Sequence, residues 1–258
     1  FSSGMGSGAS IIISRFFGEK NKDGIKKSIA SIIIINIILA LIITLGIALT
    51  TDPILEALNV SSDIYQMARD YFIVTIYGLI TTMMFNTLSG ILRALGNSRM
   101  PIYTLMISCV INILGDLFFI SVCNLGVGGS ALATNLAQTV SIIILAIYII
   151  YKYPLLRLKR NDFKFYKRIY SELLTTGLSM GLMNSVYAIG GIVMSGAVNS
   201  LGSNIVTARS TGRKIVEVLF QPGTSIATAA SVFVSQNYGA KNMKRANEGI
   251  KKSVVILF

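Results

Sequence analysis

The sequence predicts an all-α integral membrane bundle, and three observations carry that reading. Hydrophobic residues make up 53% of the 258 and charged residues 13%, about half the charge of an ordinary soluble domain. Six apolar runs occupy 28–50, 71–92, 101–122, 127–151, 173–199 and 204–235, each close to the ~20 residues a helix needs to cross a bilayer. The connections between these runs alternate in charge.

The chain opens on Gly4, Gly6 and Gly8 followed by Ile11–Ile13, with no initiator Met, and it stops at Val254–Phe258 as another apolar run begins. Both ends are therefore expected to lie inside a longer protein, and no signal peptide can be read. The opening glycines sit in an apolar segment without a following Gly-Lys-Ser, so they do not form a phosphate loop, and neither ATP hydrolysis nor any other enzymatic activity is expected.

Basic residues collect in every second connection. Arg15–Lys27 holds five basic and two acidic residues, the 93–99 connection holds Arg93 and Arg99, Lys152–Arg168 holds seven basic residues, and Lys241–Lys252 holds five. The alternate connections are acidic at Asp52, Glu56 and Asp63, or uncharged at Asn124–Gly129 and Asn199–Ser203. Lys and Arg excess marks the cytoplasmic side, so the net charge of +12 is a topology signal. It predicts a multi-pass protein of the plasma membrane with basic loops in the cytoplasm, anionic lipid headgroups as neighbours, and no nucleic-acid partner.

Cys109 and Cys123 lie on one predicted helix about 21 Å apart by helical rise, too far to bridge. With no histidine in the chain, a transition-metal site or a histidine-dependent triad is not expected.

Lys152–Arg168, with Pro154 near its start, is the one hydrophilic stretch long enough to divide the chain. It is read as a cytoplasmic linker (152–168) between an N-terminal lobe (1–151) and a C-terminal lobe (169–258). An internal repeat agrees with this division: Ser14, Gly18, Lys20 and Asn21 recur as Ser235, Gly239, Lys241 and Asn242 at a constant offset of 221. An even number of spans separates the copies, so the repeat is parallel.

Asp116 interrupts the otherwise uncharged run Pro101–Val122. A carboxylate at the centre of a membrane helix costs about 2.5–3.5 kcal/mol on insertion scales, so such a residue faces a cavity, a partner or an ion path. Asn112 lies one turn earlier on the same face. Thr134 lies as far beyond the turn at Leu125 as Asp116 lies before it, so in an antiparallel pair the three converge at one depth, about 14 Å below the turn. Their oxygens suit a hard monovalent cation, or a proton held on Asp116. The alternative is polar glue between two helices. Gly126, Gly128, Gly129, Ser130, Ala131 and Ala133 permit the close approach either role needs.

In the second half, Arg209, Arg213, Lys214 and Glu217 share one span. Lys214 and Glu217 lie about 15–20 Å in by helical rise, and Arg213 and Glu217 are spaced to pair at i and i+4. They form either a self-neutralising ion pair or part of a substrate wall. Pro222 and Gly223 predict a bend just beyond. Gln138, Asn184 and Tyr187 are further candidates for the cavity wall, so the predicted substrate cavity comprises Gln138, Asn184, Tyr187, Lys214 and Glu217. The ten Met residues suit either core packing or a repackable surface for varied amphiphiles.

At this point the residues resemble a known family, the multidrug and toxic compound extrusion (MATE) transporters, in particular those of low-GC Gram-positive bacteria. The likeness is carried by ISRFFGEKNKDGIKKS at 13–28, LSGILRALGNSRMPIY at 88–103, INILGDLFFI at 111–120, GVGGSALAT at 126–134, AVNSLGS at 197–203 and VSQNYGAKN at 234–242. The resemblance implies a MATE-like helical bundle of twelve helices in two six-helix lobes, of which this chain covers the end of helix 2 to the start of helix 9. It further implies export of small amphiphilic compounds by antiport against H+ or Na+, with no other cofactor, and a first-lobe cation site built from Asn112, Asp116 and Thr134. Ser179, where many relatives have Pro, and Arg209 and Arg213, where small or neutral residues are usual, leave the charge of the substrate open. A lipid or lipid-linked oligosaccharide flippase of related architecture is the second reading, and a non-transporting receptor or scaffold is a third. A monomer is expected.

Overall fold

The computed structural model describes residues 2–57, 62–199 and 203–257. Ten α-helices occur among them: α1 (Ser2–Gly18), α2 (Lys22–Leu49), α3 (Thr51–Ala57), α4 (Ser62–Tyr77), α5 (Leu79–Ala94), α6 (Arg99–Leu117), α7 (Gly126–Lys152), α8 (Lys167–Asn199), α9 (Ser203–Gly239) and α10 (Met243–Leu257). Five of these helices, α2 and α6–α9, are long and apolar enough to cross a membrane, and the bent pair α4–α5 makes a sixth. The six expected spans are thus present. Part of the expected Asn199–Ser203 turn, residues 200–202, lies outside the described residues.

Apolar side chains divide between two environments. Met5, Ile13, Ile32, Met83, Ile91, Leu92, Leu145 and Leu173 are fully buried and form one core. Long rows on α2 (Ile38, Leu41, Ile42, Leu45) and α6 (Leu105, Met106, Ile113, Leu114) are exposed, as hydrocarbon-facing surfaces are. Since lipid tails are as apolar as leucine, helix association here rests on close packing rather than on escape from water.

Close packing explains the opening glycines. A Cβ on Gly4 or Gly8 would stand 2.6 Å or 2.7 Å from the Cα of Gly181 or Gly177 respectively, so two glycines four apart on α1 lie against two glycines four apart on α8. Gly6 turns the other way, against α5 at Asn86, and its carbonyl would touch a Cβ on Gly90. Helix α1 consequently packs against α2, α5, α8 and α9, and through it the two halves of the chain meet.

The second span breaks at Gly78, where α4 and α5 meet at 41°. The Asn135 amide donates to the Val74 carbonyl at 2.9 Å, and a Cβ on Gly78 would fall 1.7 Å from Asn135 Oδ1. The missing side chain at Gly78 is therefore what admits the amide that satisfies the break. Helix α9 runs through Pro222, the position of the expected bend, without a break. A single proline removes one backbone bond and leaves the turns on either side intact.

The repeat seen in sequence is repeated in backbone geometry. Lys20 and Lys241 both adopt the left-handed conformation, with φ of 56° and 57°, and Asn21 and Asn242 accept hydrogen bonds from the backbone of Gly24 and Arg245 at 2.9 Å and 3.1 Å. Each copy ends a helix and starts the next in the same way. The four basic segments also come together. Lys20, Lys22, Lys152 and Arg245 line one depression of about 610 Å³ with Leu95 and Gln236, so the basic connections share one end of the bundle.

Between α2 and α4, Arg69 Nε donates to Asp52 at 2.8 Å and Tyr65 donates to it at 3.2 Å. The Arg69 hydrogen bond holds the Asp52 carboxyl below its ordinary value. A depressed carboxylate contributes stability above its unfolded pKa and loses it as pH falls through the folded one. Acidification below about pH 4 is expected to loosen the α3–α4 segment. Amide protection of residues 51–57, measured relative to the intrinsic exchange rate at each pH, that stays constant between pH 7 and pH 3 would remove this ion pair from the account.

Candidate functional site

Helices α6 and α7 form a tight antiparallel pair. Gly115 is the point of closest approach, where an added Cβ would lie 2.9 Å from the Ala133 side chain, and the small residues of α7 make that distance possible. Three residues before Gly115 and one after Ala133, two of the three expected residues are bonded: Asn112 Nδ2 donates to Thr134 Oγ1 at 3.1 Å, and Thr134 Oγ1 donates in turn to the Ser130 carbonyl at 3.1 Å. Asp116, one turn beyond Asn112, is half-buried and joins neither bond. Its Oδ1 is shielded from solvent and has no hydrogen-bond partner among the described residues.

A π-helical turn, Phe118–Val122, follows α6 immediately, a feature that recurs at functional sites because it shifts the register of side chains around it. The arrangement pairs two neutral oxygen-bearing groups across a helix seam and leaves a carboxylate oxygen free beside them. Oxygen donors of this kind suit a hard cation or a proton and lack the nitrogen or sulfur that transition metals prefer.

At the basic end the two halves of the chain are in contact. A Cβ on Gly18 would lie 1.9 Å from the Gln236 carbonyl oxygen, and one on Gly239 would lie 2.0 Å from that of Arg15. Arg15 and Gln236 are themselves repeat equivalents at the offset of 221, so α1 and α9 cross about a local pseudo-twofold axis. Around this crossing, Arg15 Nη2 pairs with Glu172 of α8 at 2.6 Å, Arg168 reaches the same carboxylate at 3.2 Å, and Gln236 Nε2 donates to the Ala94 carbonyl at 2.9 Å.

The MatE family's sequence profile matches residues 1–118 and 179–258. The chain belongs to the MatE family. Among its relatives are a probable multidrug resistance protein, YoeA, of Bacillus subtilis (strain 168), 26% identical over 98% of this chain and 56% of the relative, and a second, YpnP, of the same organism, 26% identical over 88% of this chain and 51% of the relative. The chain thus spans about half the length of the curated relatives it matches. A solved structure, an outward-facing conformation of a multidrug resistance MATE family transporter of the MOP superfamily, superposes with a TM-score of 0.89 at 23% identity, over 99% of this chain and 57% of that one. The MatE fold of this chain is that of the transporter family.

In this MatE chain the residues expected to form a single substrate wall are dispersed. Gln138 accepts hydrogen bonds from Thr81 at 3.2 Å and Thr82 at 2.7 Å, which ties α7 to α5 inside the first half. Asn184 borders a cavity between α1 and α9, whereas Tyr187 is 77% exposed. Lys214 and Glu217 border a separate cleft of about 290 Å³ between α8 and α9 with Arg209 and Arg213, where Arg213 pairs with Glu217 at 2.7 Å and Arg209 donates to Ser195 at 3.1 Å.

Two residues of consequence escaped the sequence reading. Arg93, counted there as a loop charge, belongs to the last turn of α5 and faces the space between the halves. Asn36 of α2 donates to Thr87 of α5 in the buried core. A polar residue in each of two apolar runs was the only signal for that pair, and nothing in their spacing joins them.

Proposed function

We propose that this chain is the greater part of a secondary active exporter in a bacterial plasma membrane, moving small amphiphilic compounds against H+ or Na+. The observation that carries the reading is the α6–α7 seam, where an amide and a hydroxyl are bonded across the helices and a carboxylate oxygen beside them is left without a partner. A cation held at Asp116 offsets a charge that is costly within a membrane-spanning helix. It biases the protein only as far as the two facing states bind the ion differently.

Lys and Arg excess favours a cytoplasmic placement of the basic end, and the α1–α9 contact there supports a seal on that side. Transport follows when the lobes on either side of 152–168 rock apart there and close at the opposite end. The protein acts as a monomer and performs no covalent chemistry. The family match and the multidrug resistance relatives support the cargo class.

The test is dye export by the full-length protein in proteoliposomes carrying Asp116→Asn. Cation-dependent export is expected to fall by about tenfold or more, the size of a typical coupling energy. Unchanged, cation-dependent export by Asp116→Asn would rule out this carboxylate as the coupling group. A flippase for a lipid-linked anionic headgroup is the second reading, favoured by Arg209, Arg213 and Lys214 around the α8–α9 cleft, and lipid translocation without dye export would select it.

A further inference from the structure

Two adjoining cavities of about 700 Å³ and 460 Å³ lie between the halves of the chain, and Ser3, Ser7, Arg93, Gln221, Thr224 and Thr228 border both. Each has the size of a small-molecule site. Arg93 is the sole charged residue on either wall. It takes part in no ion pair among the described residues, and its Nε is shielded from solvent with no hydrogen-bond partner. A desolvated guanidinium without a counter-ion is costly and is kept where something of opposite charge completes it.

A second observation comes from the hydroxyls beside it. Ser10 and Ser89 border the smaller and the larger cavity respectively. Each is 2% exposed, and each has a hydroxyl oxygen without a hydrogen-bond partner. Ser10 stands against Gly90, one turn before Arg93. Thr224 and Thr228 are different, since their hydroxyls donate to the Gln221 and Thr224 carbonyls at 2.9 Å. Two of the five buried serine hydroxyls without partners among the described residues thus border the cavities that Arg93 lines, and a guanidinium with hydroxyl donors near it is the recognition chemistry of a carboxylate or a phosphate.

We propose that the cleft between the lobes takes an anionic amphiphile, its carboxylate or phosphate seated on Arg93 and its apolar body against Phe85, Ile102 and Leu105. This deepens the transport reading above and rests on it for the passage of that molecule across the membrane. The electrostatics disfavour an organic cation in this cleft, because no carboxylate on either wall offsets Arg93.

The experiment measures binding of carboxyfluorescein, an anion, and ethidium, a cation, to the full-length protein by fluorescence polarisation. Wild type is expected to favour carboxyfluorescein, and Arg93→Gln to lower the anion-to-cation affinity ratio by about tenfold or more, as loss of a charged hydrogen bond does. Ser7→Asp, which keeps Arg93 but adds a carboxylate to the cleft, is expected to lower the ratio likewise, and Arg93→Lys to retain most of it. Should Arg93→Gln not fold, Ser7→Asp and Arg93→Lys carry the test. A ratio that stays within about twofold of wild type in Ser7→Asp or in folded Arg93→Gln overturns the site. Export separates the two readings. Arg93-dependent anion binding with no export of either dye retires the transport reading and leaves the site, whereas export of ethidium with no anion binding retires the site and leaves transport.

Discussion

Gly239→Val is expected to part the basic end of the molecule. A Cβ at that position would stand 2.0 Å from the Arg15 carbonyl oxygen, and one at Gly18 1.9 Å from that of Gln236. Both obstacles are backbone atoms in helices, so no side-chain rotation relieves the clash and α1 and α9 must separate. Overpacking of this kind costs about 1–3 kcal/mol, enough to shift a two-state equilibrium by about 5–150-fold. Ser14, fully buried in α1, reports on it. With Cys109 and Cys123 replaced by serine and Ser14→Cys introduced in the full-length protein, labelling by a water-soluble maleimide is expected to rise about tenfold in Gly239→Val and in Gly18→Val. Equal labelling rates with and without these substitutions would mean that the crossing does not seal that end.

Gly78→Ala is expected to lower stability by about 0.5–1.5 kcal/mol, the net worth of one hydrogen bond. The added methyl meets Asn135 Oδ1, a flexible side chain that swings aside at little steric cost. What is lost is its hydrogen bond to Val74 O at 2.9 Å, the bond that caps the bent span. Asn135→Ala removes the same bond, so the double variant is expected to lose no more than either single one, the signature of shared energy. Thermal unfolding of the purified full-length protein measures this, and additive losses would show that the two residues act separately.

The reach of the sequence reading follows from what each signal depends on. Spans were legible because a bilayer demands about 20 apolar residues whatever the neighbours are. Equal distance from the turn at Leu125 matched Thr134 with Asp116, whereas the bond runs from Thr134 to Asn112, one turn deeper on α6, because spacing sets depth but not which side chain reaches across. The break at Gly78 was not legible, since glycine in an apolar run also serves close packing, as Gly4 and Gly8 do. The partners of Gln138 were not legible either, since Thr81 and Thr82 donate to it from a helix that no local spacing joins to α7. Arg93 was hidden by proximity to a basic loop, because charge counts place a residue near an end but do not show which way a long side chain turns.

The left-handed lysines and the paired glycines carry one more consequence. Because Gly18 rests on Gln236 as Gly239 rests on Arg15, the crossing presents the same backbone contact on both sides of its axis. A load that parts one side is resisted equally by its mirror image.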